Sequence, residues 1–228
     1  MKDISEEELL RVIDKHGNES IFAGSYGWAS AGRFHHAQGH LKRLLNLMGG
    51  YTKSVNTYSL AAGEVILPHV LGGAEFIYGA TSWQSIISDC DLMVAFGGLP
   101  VKNAAVGQGG VGAHRTGPAL LEAKAAGVDF INISPLRSDM PAALQADWLA
   151  PRPSTDAALM IGLAHVLLTE NLTDQAFLEK YTEGFDRFSA YLTGEVDGIA
   201  KTADWAADIC KLSAYTIRSL ARRMARGR

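Results

Sequence analysis

The chain has 228 residues, 47% hydrophobic and 20% charged, with a formal charge of −3 at pH 7. That length and apolar fraction exclude a disordered tail and suit one large or two modest globular units, while the weak negative charge argues against nucleic acid or an anionic membrane as the main partner and leaves small molecules. The two cysteines, Cys90 and Cys210, stand far apart without a CxxC, which excludes a thiolate zinc site or an iron–sulfur cluster built from this chain alone and leaves a lone disulfide unsupported. No window reaches about 18 uncharged apolar residues, and MKDISEEELL is acidic and helix-like rather than a basic, apolar leader.

In chain order, SEEELLRVIDKHG predicts an amphipathic helix capped by Ser5, with acids in its first turn and Gly17 after its end. SIFAGSYGW carries a short strand into a glycine-bearing loop. From Ala31 to Met48 the apolar residues Phe34, Ala37, Leu41, Leu44, Leu45 and Met48 recur at helical spacing, stopped by Gly49-Gly50. A second helix is expected from Ser59 through LAAGEVI towards Pro68. DLMVAFGG, TGPALLEAKAAG and VDFINIS read as strand, helix and strand, the pattern of a parallel sheet with a right-handed crossover. DWLAP predicts a third strand. STDAALMIGLAHVLLTE opens on a cap and is apolar on nearly every face, so it should be a buried helix. TDQAFLEKY, FDRFSAYL, TADWAADIC and SAYTIRSLARRMA add further helices. The arginines of RSLARRMARGR, at 218, 222, 223, 226 and 228, read as a solvated helix face. The expected fold class is therefore α/β: a parallel, Rossmann-like sheet flanked by helices, preceded by a mainly helical segment from a neighbouring domain. The boundary is placed between residues 1–88 and 89–228, and the ending in ARRMARGR without a closing strand suggests an excerpt.

GQGGVG, residues 107–112, matches GxGxxG, but about ten residues separate it from the preceding strand, whereas a dinucleotide-binding turn must follow its strand directly. An ordinary NAD module is disfavoured. Ligands of such sheets bind beyond the carboxyl ends of the strands. Three loops should converge there: GGLPVKN, SPLRSD and PRPSTD. They offer Gly97 and Gly98 for close backbone approach, Lys102, Arg137 and Arg152 as cations for phosphate, and Ser134, Ser138, Asp139, Thr155 and Asp156 as polar anchors. His35, His36 and His40 are placed on the first long helix; His36 and His40 have metal-ligand spacing, yet no glutamate completes HExxH, and a solvated face is the better account. Tyr26 and Trp28 flank a glycine before that helix, where packing anchors are ordinary. Ser59, on its own, reads as a helix cap.

Taken together, GSYGWASAGRFHHAQ, LMGGYTKSVNTYSLAAGEVILPHVLG, AFGGLPVKN, SPLRSDMP, WLAPRPSTDAALMIGLAHVL and FLEKYTEGFDRF occur in this order over residues 20–225 and resemble the dimethyl sulfoxide reductase family of molybdenum enzymes, most of all the biotin sulfoxide and trimethylamine N-oxide reductase branch. The chain is far shorter than a family member and would be an internal slice, lacking an N-terminal segment and a C-terminal domain. The resemblance implies molybdenum held by two molybdopterin guanine dinucleotides (bis-MGD), with Ser59 as the protein's metal ligand, a hard anionic oxygen suited to a high-valent metal. Tyr26 and Trp28 match the aromatic pair over the metal; Tyr26 would donate a hydrogen bond to the oxygen being transferred, and Trp28 would wall the pocket.

Gly97, Gly98, Lys102, Ser134, Pro135, Arg137, Asp139, Arg152, Thr155 and Asp156 match the binding region of one dinucleotide, with Asp156 suited to guanine's N–H donors and the arginines to the pyrophosphate. Many relatives carry an acid where this chain has Ser134, which puts the ribose contact there in question. The implied reaction is oxygen-atom transfer from a small S-oxide or N-oxide: Mo(IV) is oxidised to Mo(VI), and two electrons from a donor protein with two protons release the oxygen as water. The slice alone is expected to be inactive. Two rivals stand beside this reading: a non-catalytic nucleotide-binding Rossmann-like domain, and a fragment that folds and binds nothing.

Overall fold

The computed structural model describes residues 6–24, 35–57, 59–73, 75–77, 79, 81–104, 106–107, 110–111 and 113–227. They fall into two compact units, one of residues 1–81 with 104–114, the other of residues 82–103 with 115–228.

In the first unit, α1 (Glu6–His16) carries glutamates in its first turn and Lys15 and His16 in its last, favourable against the helix dipole at both ends. Strand β1 (Phe22–Ala23) pairs in parallel with β2 (Thr52–Lys53) across α2 (Ala37–Leu47). Helix α2 begins six residues later than its periodicity suggests; residues 31–34 lie outside the described ones. Its cap is His36, whose Nδ1 accepts from Gly39 N at 3.0 Å. His36 is thus a capping residue ahead of the helix, and His35 precedes it. Asn18 Nδ2 donates to Met48 O and Gly50 O (3.0 and 2.9 Å), tying the end of α2 to the turn after α1. Helix α3 spans Ala61–Val70. It passes through Pro68 instead of stopping there: the missing N–H removes one helical bond, but the following turn closes with Leu71 N donating to Leu67 O at 2.7 Å.

The second unit opens with α4 (Trp83–Asp89) and β3 (Leu92–Phe96). The excursion back into the first unit holds a hairpin, β4 (Val106–Gly107) antiparallel to β5 (Gly110–Val111), so the GQGGVG stretch contributes to a hairpin and not to a strand-to-helix turn. Then follow α5 (Thr116–Ala125), β6 (Asp129–Ile133), β7 (Asp147–Leu149), α6 (Asp156–Thr169), α7 (Gln175–Tyr181), α8 (Phe185–Thr193), α9 (Ala203–Cys210) and α10 (Ala214–Met224). The sheet is parallel in the order β3-β6-β7, with Val94 opposite Ile131 and Asn132 opposite Trp148. The α/β class with a parallel sheet flanked by helices is what the chain adopts.

Alternation along β6 sends side chains to both faces. Ile131 and Ile133 join a core with Leu159, Leu163, Ala206, Ile217 and Leu220 of α6, α9 and α10. Phe130 joins the other, with Ala95, Leu120, Ala123, Met140 and Leu144. Gly162 of α6 lets α9 approach closely: a Cβ there would lie 2.5 Å from the Ala206 methyl. Side-chain caps set the starts of α4, α7, α9 and α10 through Ser82, Asp174, Thr202 and Ser213. Helix α6 differs from expectation, because Thr155 turns away from its end and donates to Arg152 O at 2.5 Å.

The arginines of α10 are not a merely solvated face. Arg222 forks onto Glu170 (2.7 and 2.8 Å), Arg218 bonds Asp204, and Arg223 meets Asp147 at 2.7 Å and Asp129 at 3.7 Å. Cys90 and Cys210 are both free thiols.

Candidate functional site: the strand-end crevice and Ser59

The three loops predicted to hold a nucleotide do leave the carboxyl ends of β3, β6 and β7 within one unit. The first turns sharply at Gly97 and Gly98, with φ of +87° and +78°. Gly97 N donates to Ile133 O (2.8 Å), extending the ladder, and Leu99 N donates to Asp139 O (2.8 Å), latching the first loop to the second. A Cβ on Gly98 would lie 2.5 Å from Asp139 O and 2.7 Å from Asp139 Cβ, so the loops approach this closely only because residue 98 is glycine. Lys102 follows in a 3-10 turn, exposed.

The second loop is held from beneath. Ser134, 1% exposed, receives Trp148 Nε1 on its carbonyl at 2.8 Å, accepts Leu136 N on its hydroxyl at 3.3 Å, and donates that hydroxyl to Asp139 Oδ2 at 2.6 Å. Asn132 Nδ2 reaches Leu136 O and Arg137 O at 3.5 and 3.3 Å, while its Oδ1 is buried without a partner among the described residues. Pro135 and Arg137 stand exposed above. Asn132, Arg137, Ser138, Gln145 and Trp148 line a cavity of about 520 Å³ beside this loop.

In the third loop Arg152 N donates to Cys210 O (2.8 Å), leaving its guanidinium exposed, and Asp156 starts α6, where the helix dipole favours a carboxylate. The loops therefore present three exposed cations and two carboxylates around glycine-lined backbone, a donor and acceptor set that fits a nucleotide with a charged phosphate bridge.

Ser59 lies in the first unit, exposed, two residues before α3, and its hydroxyl makes no hydrogen bond among the described residues. It does not cap the helix: the N-cap position is Leu60, and Thr57 Oγ1 accepts from Leu60 N at 3.4 Å. The cap reading is thereby corrected. Tyr26 and Trp28 lie outside the described residues. No cluster of three metal-ligating His, Cys, Asp or Glu side chains exists among the described residues, in keeping with His36 acting as a cap.

Sequence reasoning missed Asn132 and Trp148, which shape the second loop. The signal for Asn132 was present: an amide inside the apolar run DFINI must find partners when buried. Nothing in DWLAP marks the indole as a donor to Ser134.

Comparisons with known proteins bear on the family and the fold. The chain is 44% identical over 226 residues to the dimethyl sulfoxide/trimethylamine N-oxide reductase of Cereibacter sphaeroides, covering 99% of this chain and 27% of that protein. It is 46% identical to the biotin sulfoxide reductase of the same organism (96% and 30% covered) and 39% identical to the trimethylamine-N-oxide reductase of Haemophilus influenzae (96% and 26%). The chain thus spans under a third of the length of these relatives. Among solved structures, acetylene hydratase from Pelobacter acetylenicus shares the fold, with a TM-score of 0.53 at 24% identity over 94% of this chain and 26% of that one. No helix among the described residues is long and apolar enough to cross a membrane. The model of the molybdopterin oxidoreductase family matches residues 3–218, and the chain belongs to that family, whose cofactor is molybdopterin with its molybdenum.

Proposed function

We propose that this chain is part of a molybdenum-dependent S-oxide and N-oxide reductase acting on substrates of the dimethyl sulfoxide, biotin sulfoxide or trimethylamine N-oxide type. Residues 1–88 supply its molybdenum-facing segment and residues 89–228 part of the domain that holds one molybdopterin guanine dinucleotide of a bis-MGD cofactor. The observation that carries the reading is Ser59: an exposed hydroxyl without a hydrogen-bond partner among the described residues, ahead of a helix whose first turn it does not cap. When bound, molybdenum and its dithiolenes supply the two-electron oxygen-atom transfer.

The chain's own residues bind and orient. Ser59 offers the metal a hard oxygen donor. Gly97 and Gly98 allow the backbone to approach the dinucleotide, Lys102, Arg137 and Arg152 receive its pyrophosphate, and Asp156 accepts from the guanine ring N–H and amino group. Tyr26 donates a hydrogen bond towards the substrate oxygen, and Trp28 walls the pocket. The remaining parts of the enzyme hold the other half of the cofactor and receive electrons from a donor protein, so residues 1–228 alone turn nothing over.

Molybdenum content and sulfoxide turnover of the full-length protein test this, wild type against Ser59→Ala. Loss of a direct ligand should lower turnover by more than the roughly tenfold to hundredfold typical of outer-shell changes. Equal metal content and turnover in the two proteins would end the ligand assignment.

A further inference from the structure

We infer that Asp139, held by Ser134, is the residue that receives the ribose hydroxyls of the bound nucleotide. This deepens the nucleotide reading of the strand-end crevice and rests on it. In a sheet of this kind the ribose is met by an acid just beyond the second strand. Here the residue after β6 is Ser134, whose hydroxyl is buried and cannot itself offer a charged acceptor. That hydroxyl donates to Asp139 Oδ2 at 2.6 Å, which turns the carboxylate back to the strand end.

A second latch comes from the neighbouring loop. Leu99 N donates to Asp139 O at 2.8 Å, and the absent side chain of Gly98 leaves the space that the Asp139 backbone and Cβ occupy. Asp139 therefore sits between the ends of β3 and β6, where a nucleotide crossing from the first loop to the third must pass. The residue is half-buried and forms no ion pair among the described residues, although Arg137 and Arg152 stand on the loops around it. One carboxylate oxygen is engaged by a neutral hydroxyl, and Oδ1 remains to accept from a sugar hydroxyl, a charge-assisted bond.

Calorimetry on the full-length apoprotein tests the assignment with GDP and 2′,3′-dideoxy-GDP as probes. Wild type should bind GDP on the order of tenfold more tightly, the value of one hydrogen bond to a charged group. Asp139→Asn, which keeps the shape and the Ser134 contact, should bring the ratio close to one while dideoxy-GDP binding is unchanged. Adding Ser134→Asp to Asp139→Asn restores a carboxylate at the strand end and should restore the preference. The inference is overturned if Asp139→Asn keeps the wild-type ratio, or if wild type binds both probes equally; in either case the nucleotide crevice itself survives. Absence of any GDP binding by wild type removes the crevice reading, and the ribose assignment with it.

Discussion

Lys201 is 2% exposed, and its ammonium is enclosed by named partners: Asp197 Oδ1 and Oδ2 at 2.8 and 2.7 Å, Ile199 O at 2.5 Å, the Tyr191 ring at 4.4 Å and the Trp205 ring at 5.9 Å. Replacement by methionine keeps most of the aliphatic stem and removes the charge. The lost bonds are charge-assisted, each worth about 1.5–3 kcal/mol, but the Asp197 side chain is 40% exposed and regains water, and the ammonium no longer has to be desolvated, so the net cost should be about 2 kcal/mol. Replacement by alanine also empties the buried space the stem fills, adding about 1–2 kcal/mol. Urea unfolding followed by tryptophan fluorescence reads both values, and the order should be wild type, then methionine, then alanine. A methionine variant within about 0.5 kcal/mol of wild type would refute the reasoning, because it would mean that the ammonium's partners only repay its dehydration.

Three further outcomes are expected. The Asp197 carboxyl is held below its ordinary range by the Lys201 hydrogen bond, then by Ile199 N–H, and the Glu170 carboxyl by its hydrogen bond from Arg222. A depressed folded value stabilises above the unfolded one and is lost as pH falls through the folded one, so the urea midpoint should drop from about pH 4 downwards, less steeply for Lys201→Met. Gly98→Ala combines φ +78° with a Cβ 2.5 Å from Asp139 O and should cost about 2 kcal/mol or more by denaturation, together with weaker GDP binding; an unchanged midpoint would contradict the close approach. Trp148→Phe removes the 2.8 Å bond to Ser134 O while keeping an aromatic ring, and should cost about 1 kcal/mol and loosen GDP binding several-fold, measured in the same titrations.

The sheet and its helices were legible because their signals are local. DLMVAFGG, VDFINIS and DWLAP became strands, and each loop after them falls at a strand end, since short apolar runs broken by glycine, serine or proline leave the chain few other choices. Helix starts were less legible. The periodicity through Phe34 and Ala37 does not show that His36 would take the cap with its ring nitrogen, nor does NTYSLAAG show that α3 would start after Leu60, without a side-chain cap, and not at Ser59. Both starts are set by local geometry that spacing does not carry. The pairing of the terminal arginines was illegible for another reason: Glu170, Asp204 and Asp147 lie up to 76 residues away.

That last separation bears on how the protein is made. Arg223 clamps Asp147 and Asp129, which open β7 and β6, and Ile217, Leu220 and Ala221 of the same helix complete one core. At a synthesis rate of about 5–20 residues per second, the nascent sheet waits roughly 4–15 s on the ribosome before α10 emerges. Through that interval α6 and then α9 meet Ile131 and Ile133, but the core still lacks Ile217, Leu220 and Ala221, so termination before residue 217 would leave it incomplete and the product aggregation-prone.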